Sequence, residues 1–224
     1  MEVPLTRLVV LASGSGSNLQ AILAACADGR LRAEVAGVVS DQPDAYALER
    51  ARAAGVPGTL LQRQPGEARA DYDTRLTDVV AAAEPDWIVL AGWMRILTMK
   101  FLGAFPNRVV NLHPALPGEL PGTHAIERAY EQFLRGERER TGVMIHLVPD
   151  EGVDDGPVLA TADVPIHADS LPCPRGRPAQ RRPHNRLFTP ASRSRLRLPA
   201  QGGQAGLSGG PPPLPGRPAG APGS

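Results

Sequence analysis

The chain has 224 residues, with 24 Lys+Arg against 23 Asp+Glu and a formal net charge of +1. Hydrophobic residues at 42% and charged residues at 21% are enough for a packed core, and they exclude a basic nucleic-acid coat or an acidic solvating chain. Two cysteines exclude a disulfide-rich scaffold, and the longest apolar runs, LVVLA and WIVLAGWM, fall far short of a membrane span. With no cleavage-like segment before the first glycine loop, the expectation is a cytoplasmic protein in a reducing compartment.

The averages conceal two unlike pieces. Residues 171–224 hold 12 Pro, 9 Gly and 9 Arg, and no Asp, Glu or Lys. Taking those nine arginines from the 24 basic residues leaves 15 against 23 acids, so residues 1–170 carry a formal −8. Proline at this density blocks helix and ladder alike, and little apolar surface is left to offset ordering entropy. The expectation is a disordered Pro/Gly/Arg-rich tail. The abrupt loss of every acid after about Ser170 suggests a shifted reading frame in the gene, which translating the other two frames tests.

Residues 1–170 alternate strand and helix signals. A buried strand runs over Leu8–Ala12. Leu19, Ile22, Leu23 and Cys26 then fall at i, i+3, i+4, i+7, and Ser17 with Gln20 reads as a capping box at the start of that helix. A strand over Glu34–Ser40 is followed by a helix carrying Leu48 and Ala51, stopped by Gly55 and Pro57. A weaker strand is predicted at Thr59–Gln62. The stripe Tyr72, Leu76, Val79 and Val80 leads to strands over Trp87–Gly92 and Arg108–His113. A last stripe, Ile126, Ala129, Tyr130, Phe133 and Leu134, precedes strands over Thr141–Pro149 and Pro157–Ile166. This order implies a doubly wound α/β fold with a mostly parallel sheet, whose ligands sit beyond the carboxyl ends of the strands.

Three loops there carry candidate chemistry. Ser13-Gly14-Ser15-Gly16-Ser17-Asn18 joins the first strand to the first helix, where glycines allow close backbone approach and the helix start offers free amides. Leu19 stands where a dinucleotide fingerprint needs its third glycine, and the P-loop lysine is missing, so a single phosphate group held by Gly16, Ser17 and Asn18 is the better guest. Asn111 and His113, two apart at a strand end, project to one side. They precede the turn signals Pro117-Gly118 and Pro121-Gly122. The acidic turn VPDEGVDDGPVL brings Asp150, Glu151, Asp154 and Asp155, one of which could orient and charge His113. Cys26 lies on an apolar stripe and Cys173 in the tail, so no covalent nucleophile is evident. Direct acyl transfer between two bound substrates fits better, with an amide and an imidazolium stabilising the oxyanion.

LASGSGSNLQAI, AGWMRIL, NLHPALPGELPG and HLVPDEGVDDGPVL, in unbroken order over about residues 6–167, resemble the folate-dependent formyltransferase family. The resemblance implies formyl transfer from 10-formyltetrahydrofolate to the amine of glycinamide ribonucleotide, in de novo purine synthesis, without a metal. Its partners would be these small molecules, with no nucleic acid and no membrane. It implies one domain over residues 1–170, with a phosphate loop at 13–18, a folate stretch at 92–97, a catalytic loop at 111–124 and an acidic turn at 149–157. Met94, Arg95, Ile96 and Leu97 match the family's pterin-lining stretch, and Arg69 falls where the family often has a folate-side arginine. Asn111, His113 and Asp154 match its catalytic residues, with Asn111 also facing the folate; Asp155 occupies a variable position. His146, alternating within a strand, reads as structural, and His124 as a surface residue.

The resemblance also implies a further amphipathic helix, and nothing after Ser170 looks like one. An inactive homologue with an altered C-terminus is therefore one alternative, and a formyltetrahydrofolate hydrolase, which uses similar Asn, His and Asp residues with water as acceptor, is the other. Methionyl-tRNA formyltransferase would add a folded RNA-binding domain that the tail does not resemble. An NAD-dependent dehydrogenase would use Asp41, but the glycine loop is wrong for it.

Overall fold

A computed structural model describes residues 4–167. The continuous Val/Ile/Leu runs form the strands β1 (Thr6–Leu11), β2 (Ala33–Ser40), β4 (Trp87–Leu90) and β5 (Val109–His113), with β3 reduced to Gly58–Leu60. The last two strands are β6 (Arg140–Leu147) and β7 (Val158–Pro165). Helices α1 (Ser17–Ala27), α2 (Tyr46–Ala53), α3 (Arg69–Ala81), α4 (Met99–Leu102) and α5 (Ala125–Leu134) fall between them. The strands form one sheet in the order β3-β2-β1-β4-β5-β6-β7. Pairing is parallel from β3 through β5, and antiparallel for β5–β6 and β6–β7.

Alternate residues of each strand feed opposite faces, so the central strands must be apolar on both. On one face Val9, Leu11, Ile88 and Val109 meet Tyr72, Leu76 and Val80 of α3. On the other, Val10, Val38, Val89 and Val110 meet Leu19 of α1 and Ala47 and Ala51 of α2. β1 is flanked by β2 and β4, whose connections run away in opposite directions. That leaves a crevice beyond the ends of β1 and β4, the place where open α/β sheets bind ligands. Among the described residues, no helix is long and apolar enough to cross a membrane.

Two local expectations are corrected. The capping box at Ser17 and Gln20 does not form: Gly16 is the N-cap, in the left-handed region at φ 67°. A Cβ on Gly16 would lie 2.8 Å from the Ala47 Cα, so α2 packs directly on the loop, and the Gln20 side chain turns to Arg50. The weak third strand is shorter and earlier than Thr59–Gln62. The one-turn helix α4, whose N-cap residue Thr98 is held by the buried carboxylate of Asp73, has no counterpart in the sequence reading. The tail expectations for 171–224 lie outside the described residues.

Candidate active site

The loop after β1 is braced from behind. The Ala47 amide donates to the Gly14 carbonyl at 3.1 Å, and Arg50 Nε donates to the Ser15 carbonyl at 2.8 Å. The first intrahelical bond runs from the Gln20 amide to the Gly16 carbonyl, so the amides of residues 17–19 are the unpaired donors of a helix start. Ser17 and Asn18 line a cavity of about 340 Å³, which Gly16, the N-cap of α1, does not line.

The stretch after β4 turns on Gly92, at φ 82°, and is pinned inward along its length. The Met94 amide donates to Ser13 Oγ at 3.0 Å, tying the two loops together. Arg95 Nε donates to Asp41 Oδ2 at 2.7 Å, and the guanidinium lies 5.1 Å over the Tyr72 ring. The Thr98 amide and hydroxyl both donate to Asp73 Oδ2 at 2.6 Å. Leu97 is buried at 3%, while Met94 and Ile96 stand 59% and 51% exposed. Met94, Arg95, Ile96 and Leu97 all line the cavity. Arg95, however, spends its charge on Asp41, and Leu97 spends most of its side chain on the core.

Arg69 departs from expectation. It does not line the cavity; its NH2 group reaches the Ile96 carbonyl at 3.4 Å and Glu151 Oε2 at 3.1 Å. Glu151 Oε1 in turn accepts the Met99 amide at 3.2 Å. Arg69 thus braces the 93–99 segment against the acidic turn from outside.

At the end of β5 the cluster closes around Asp154. His113 Nδ1 lies 3.1 Å from Asp154 Oδ2, with the two side chains 4% and 9% exposed. Asp154 Oδ2 also accepts the Gly122 amide at 2.8 Å. Asp154 Oδ1 accepts Asn111 Nδ2 at 3.0 Å. His113 Nε2 faces the Leu120 carbonyl at 3.1 Å. Both His113 nitrogens therefore meet oxygens that only accept, an arrangement an imidazolium satisfies. Burial works against the Asp154 charge, yet hydrogen bonds from His146 and the Gly122 amide, with the charges of His113 and His146, hold its carboxyl below the usual range. Asp154 is itself at φ 56°. A Cβ on nearby Gly156 would fall 1.9 Å from the Leu147 carbonyl, so the turn that presents Asp154 requires glycine there.

The structure brings Asn111, His113 and Asp154 together at the cavity, beside Ser17, Asn18 and the 94–97 stretch. It adds His146, which faces Asn111 across the sheet and also lines the cavity. His124, at φ 62°, caps α5 and lines the cavity as well. In the sequence His146 reads as a structural residue alternating within a strand, and only the β5–β6 register shows it opposite Asn111. Asp41 and Ser13 were equally invisible as supports, because their partners lie 54 and 81 positions away. Among the described residues, no group of three His, Cys, Asp or Glu is placed to hold a metal ion.

The family model described as formyl transferase matches residues 6–172. The chain belongs to the formyl transferase family. This formyl transferase is 43% identical over 171 residues to a phosphoribosylglycinamide formyltransferase of Schizosaccharomyces pombe, covering 71% of this chain and 82% of that one. It is 42% identical over 161 residues to the protein of that name from Escherichia coli, covering 72% and 74% of the two. The crystal structure of glycinamide ribonucleotide transformylase 1 from Symbiobacterium toebii superposes with a TM-score of 0.68 at 41% identity, covering 75% of this chain and 76% of that one.

Proposed function

We propose that this formyl transferase moves a formyl group from 10-formyltetrahydrofolate to the amine of glycinamide ribonucleotide, a step of de novo purine biosynthesis. The observation that carries the reading is the buried Asn111–His113–Asp154 cluster. It sits between a helix start suited to a phosphate and an exposed apolar stretch suited to a flat ring. The names of the similar proteins support the same substrates.

In this reading the amides of residues 17 and 18, behind the tight turn at Gly16, hold the ribonucleotide phosphate at the positive end of α1. Met94 and Ile96 pack on the folate ring system, and the 94–97 backbone offers it hydrogen bonds. Arg95 and Leu97 shape that stretch from within, and Arg69 fixes its outer side.

The substrate amine attacks the formyl carbon, forming the new C–N bond as the carbonyl electron pair moves onto oxygen. His113, held through Nδ1 by Asp154, donates from Nε2 to that oxygen, which displaces the Leu120 carbonyl as its acceptor. The Asn111 amide is the second donor. The tetrahedral centre then collapses, the bond to the folate nitrogen breaks, and the proton lost by the amine passes through Asp154, directly or by a water, to that nitrogen.

A cytoplasmic location belongs to the same proposal, since a chain with two cysteines suits a reducing compartment. The test is direct: incubate the full chain with glycinamide ribonucleotide and 10-formyltetrahydrofolate and follow the folate absorbance. Formyl loss that depends on the amine supports the transferase. Equal loss without the amine would make the chain a hydrolase.

A further inference from the structure

We propose that His146 is a positioning residue that decides whether the second Asn111 amide hydrogen is held inside the protein or offered to the reacting oxygen. The proposal rests on the transferase reading for its consequence, but not for its geometry.

The antiparallel register of β5 and β6 sets Asn111 directly opposite His146. Two acceptor-only oxygens then fix the hydrogens. His146 Nδ1 lies 2.8 Å from the Leu147 carbonyl, so Nδ1 carries a proton. Asp154 Oδ1 lies 3.0 Å from the end of Asn111; a carboxylate only accepts, so the Asn111 atom there is the NH2 group. That same nitrogen is 3.2 Å from His146 Nε2. In the neutral ring Nε2 is an acceptor and takes the second amide hydrogen. Both Asn111 hydrogens are then committed, one to Asp154 and one to His146, and neither can reach a ligand in the cavity that Asn111 lines.

Protonation of His146 reverses this. Nε2–H becomes a donor facing a donor at 3.2 Å, and its own acceptor is Asp154 Oδ1 at 3.5 Å. The second amide hydrogen has no partner left inside and turns toward the cavity, where a developing oxyanion would accept it. The titratable groups facing His146 are Asp154 and Asp155 from the β6–β7 turn and, through Asp154, His113 from β5; β7 places Val158 opposite it. Burial opposes the charged ring. The hydrogen bonds to Asp154 and the Leu147 carbonyl, with the charges of Asp154 and Asp155, outweigh it and raise its pKa above the ordinary value of 6.5. The exchange is therefore set on the alkaline side of that value.

The test uses the 15N-labelled full chain without substrates, the Asn111 side-chain amide being assigned by its loss in Asn111→Asp. The expected result is a neutral His146 in the Nδ1–H form, and an Asn111 amide signal that moves with the midpoint of the His146 titration. In His146→Gln and His146→Phe the component of that movement with the His146 midpoint disappears. In formyl-transfer assays kcat of the parent falls on the alkaline side with the same midpoint, toward the loss of about 10²–10³ expected for one oxyanion donor. Both variants lack that limb, with KM held within about threefold. An Nε2–H tautomer, or an Asn111 signal indifferent to His146, overturns the proposal. Absence of formyl transfer with the amide still following His146 would instead sink the transferase reading.

Discussion

Asp154 Oδ2 lies 3.1 Å from His113 Nδ1, and the same carboxylate accepts hydrogen bonds from Asn111 and from the Gly122 backbone. One acidic group thus holds a strand end, a histidine and a loop in register. Asp154→Asn keeps the shape but removes the negative charge that faces His113 Nδ1. The expected outcome is a fall in kcat of about 10²–10⁴, with KM for both substrates little changed. His113→Ala should fall in the same range. Near-parental turnover in either variant would contradict the roles assigned to them.

The lowered Asp154 pKa has a consequence for stability. A carboxyl held below its unfolded value of about 3.9 contributes stability above that pH, and loses it as pH falls through the folded value. Urea midpoints of the parent and Asp154→Asn should therefore differ most near neutral pH. The gap should close progressively below about pH 4. A gap independent of pH would mean that the charge of Asp154 contributes nothing to folding.

Much of this arrangement is legible in the sequence, and the illegible part has a common cause. β1, β2, β4 and β5 declare themselves because strands buried on both faces must be runs of Val, Ile and Leu. The pairing of Asn111 with His113 is readable because a strand sends every second side chain the same way. What cannot be read is any contact that depends on register or on distant partners. Gly16 rather than Ser17 caps α1 because Ala47 of α2 leaves no room for a Cβ. Arg69 belongs to Glu151, 82 positions on, and Arg95 to Asp41, 54 positions back. The same blindness hid His146: its alternation shows a face, and only the strand partner shows a function.

Asp41 is 1% exposed in its side chain, and its Oδ1 has no hydrogen-bond partner among the described residues. Among the described residues Arg95 meets its charge, with the Gln42 amide beside it. Removing Arg95 leaves a buried carboxylate unpaired. Arg95→Leu should cost about 3 kcal/mol in urea unfolding. Combining it with Asp41→Leu should recover much of that loss, because the pair together is near neutral. Both variants should raise KM for the formyl folate more than KM for the ribonucleotide, since the 94–97 stretch loses its inward anchor.

The loop from Pro117 to His124 is held in a demanding shape. Gly118 and Gly122 take positive φ without cost, but Leu120 at 45° and His124 at 62° do not. Arg128 of α5 pays for part of this, its NH2 group donating to the carbonyls of Leu120, Pro121 and Thr123. The Leu120 carbonyl is also the oxygen that faces His113 Nε2, so Arg128 acts on the position of the acceptor which a formyl oxygen must displace. Arg128→Ala should loosen the loop without unfolding the sheet. Hydrogen exchange at the Gly122 amide should quicken about tenfold, the equivalent of one lost charge-assisted hydrogen bond, while the amides of β1 and β4 keep their rates. If Gly122 keeps its protection in Arg128→Ala, the loop is held by Asp154 alone and the arginine is a surface residue.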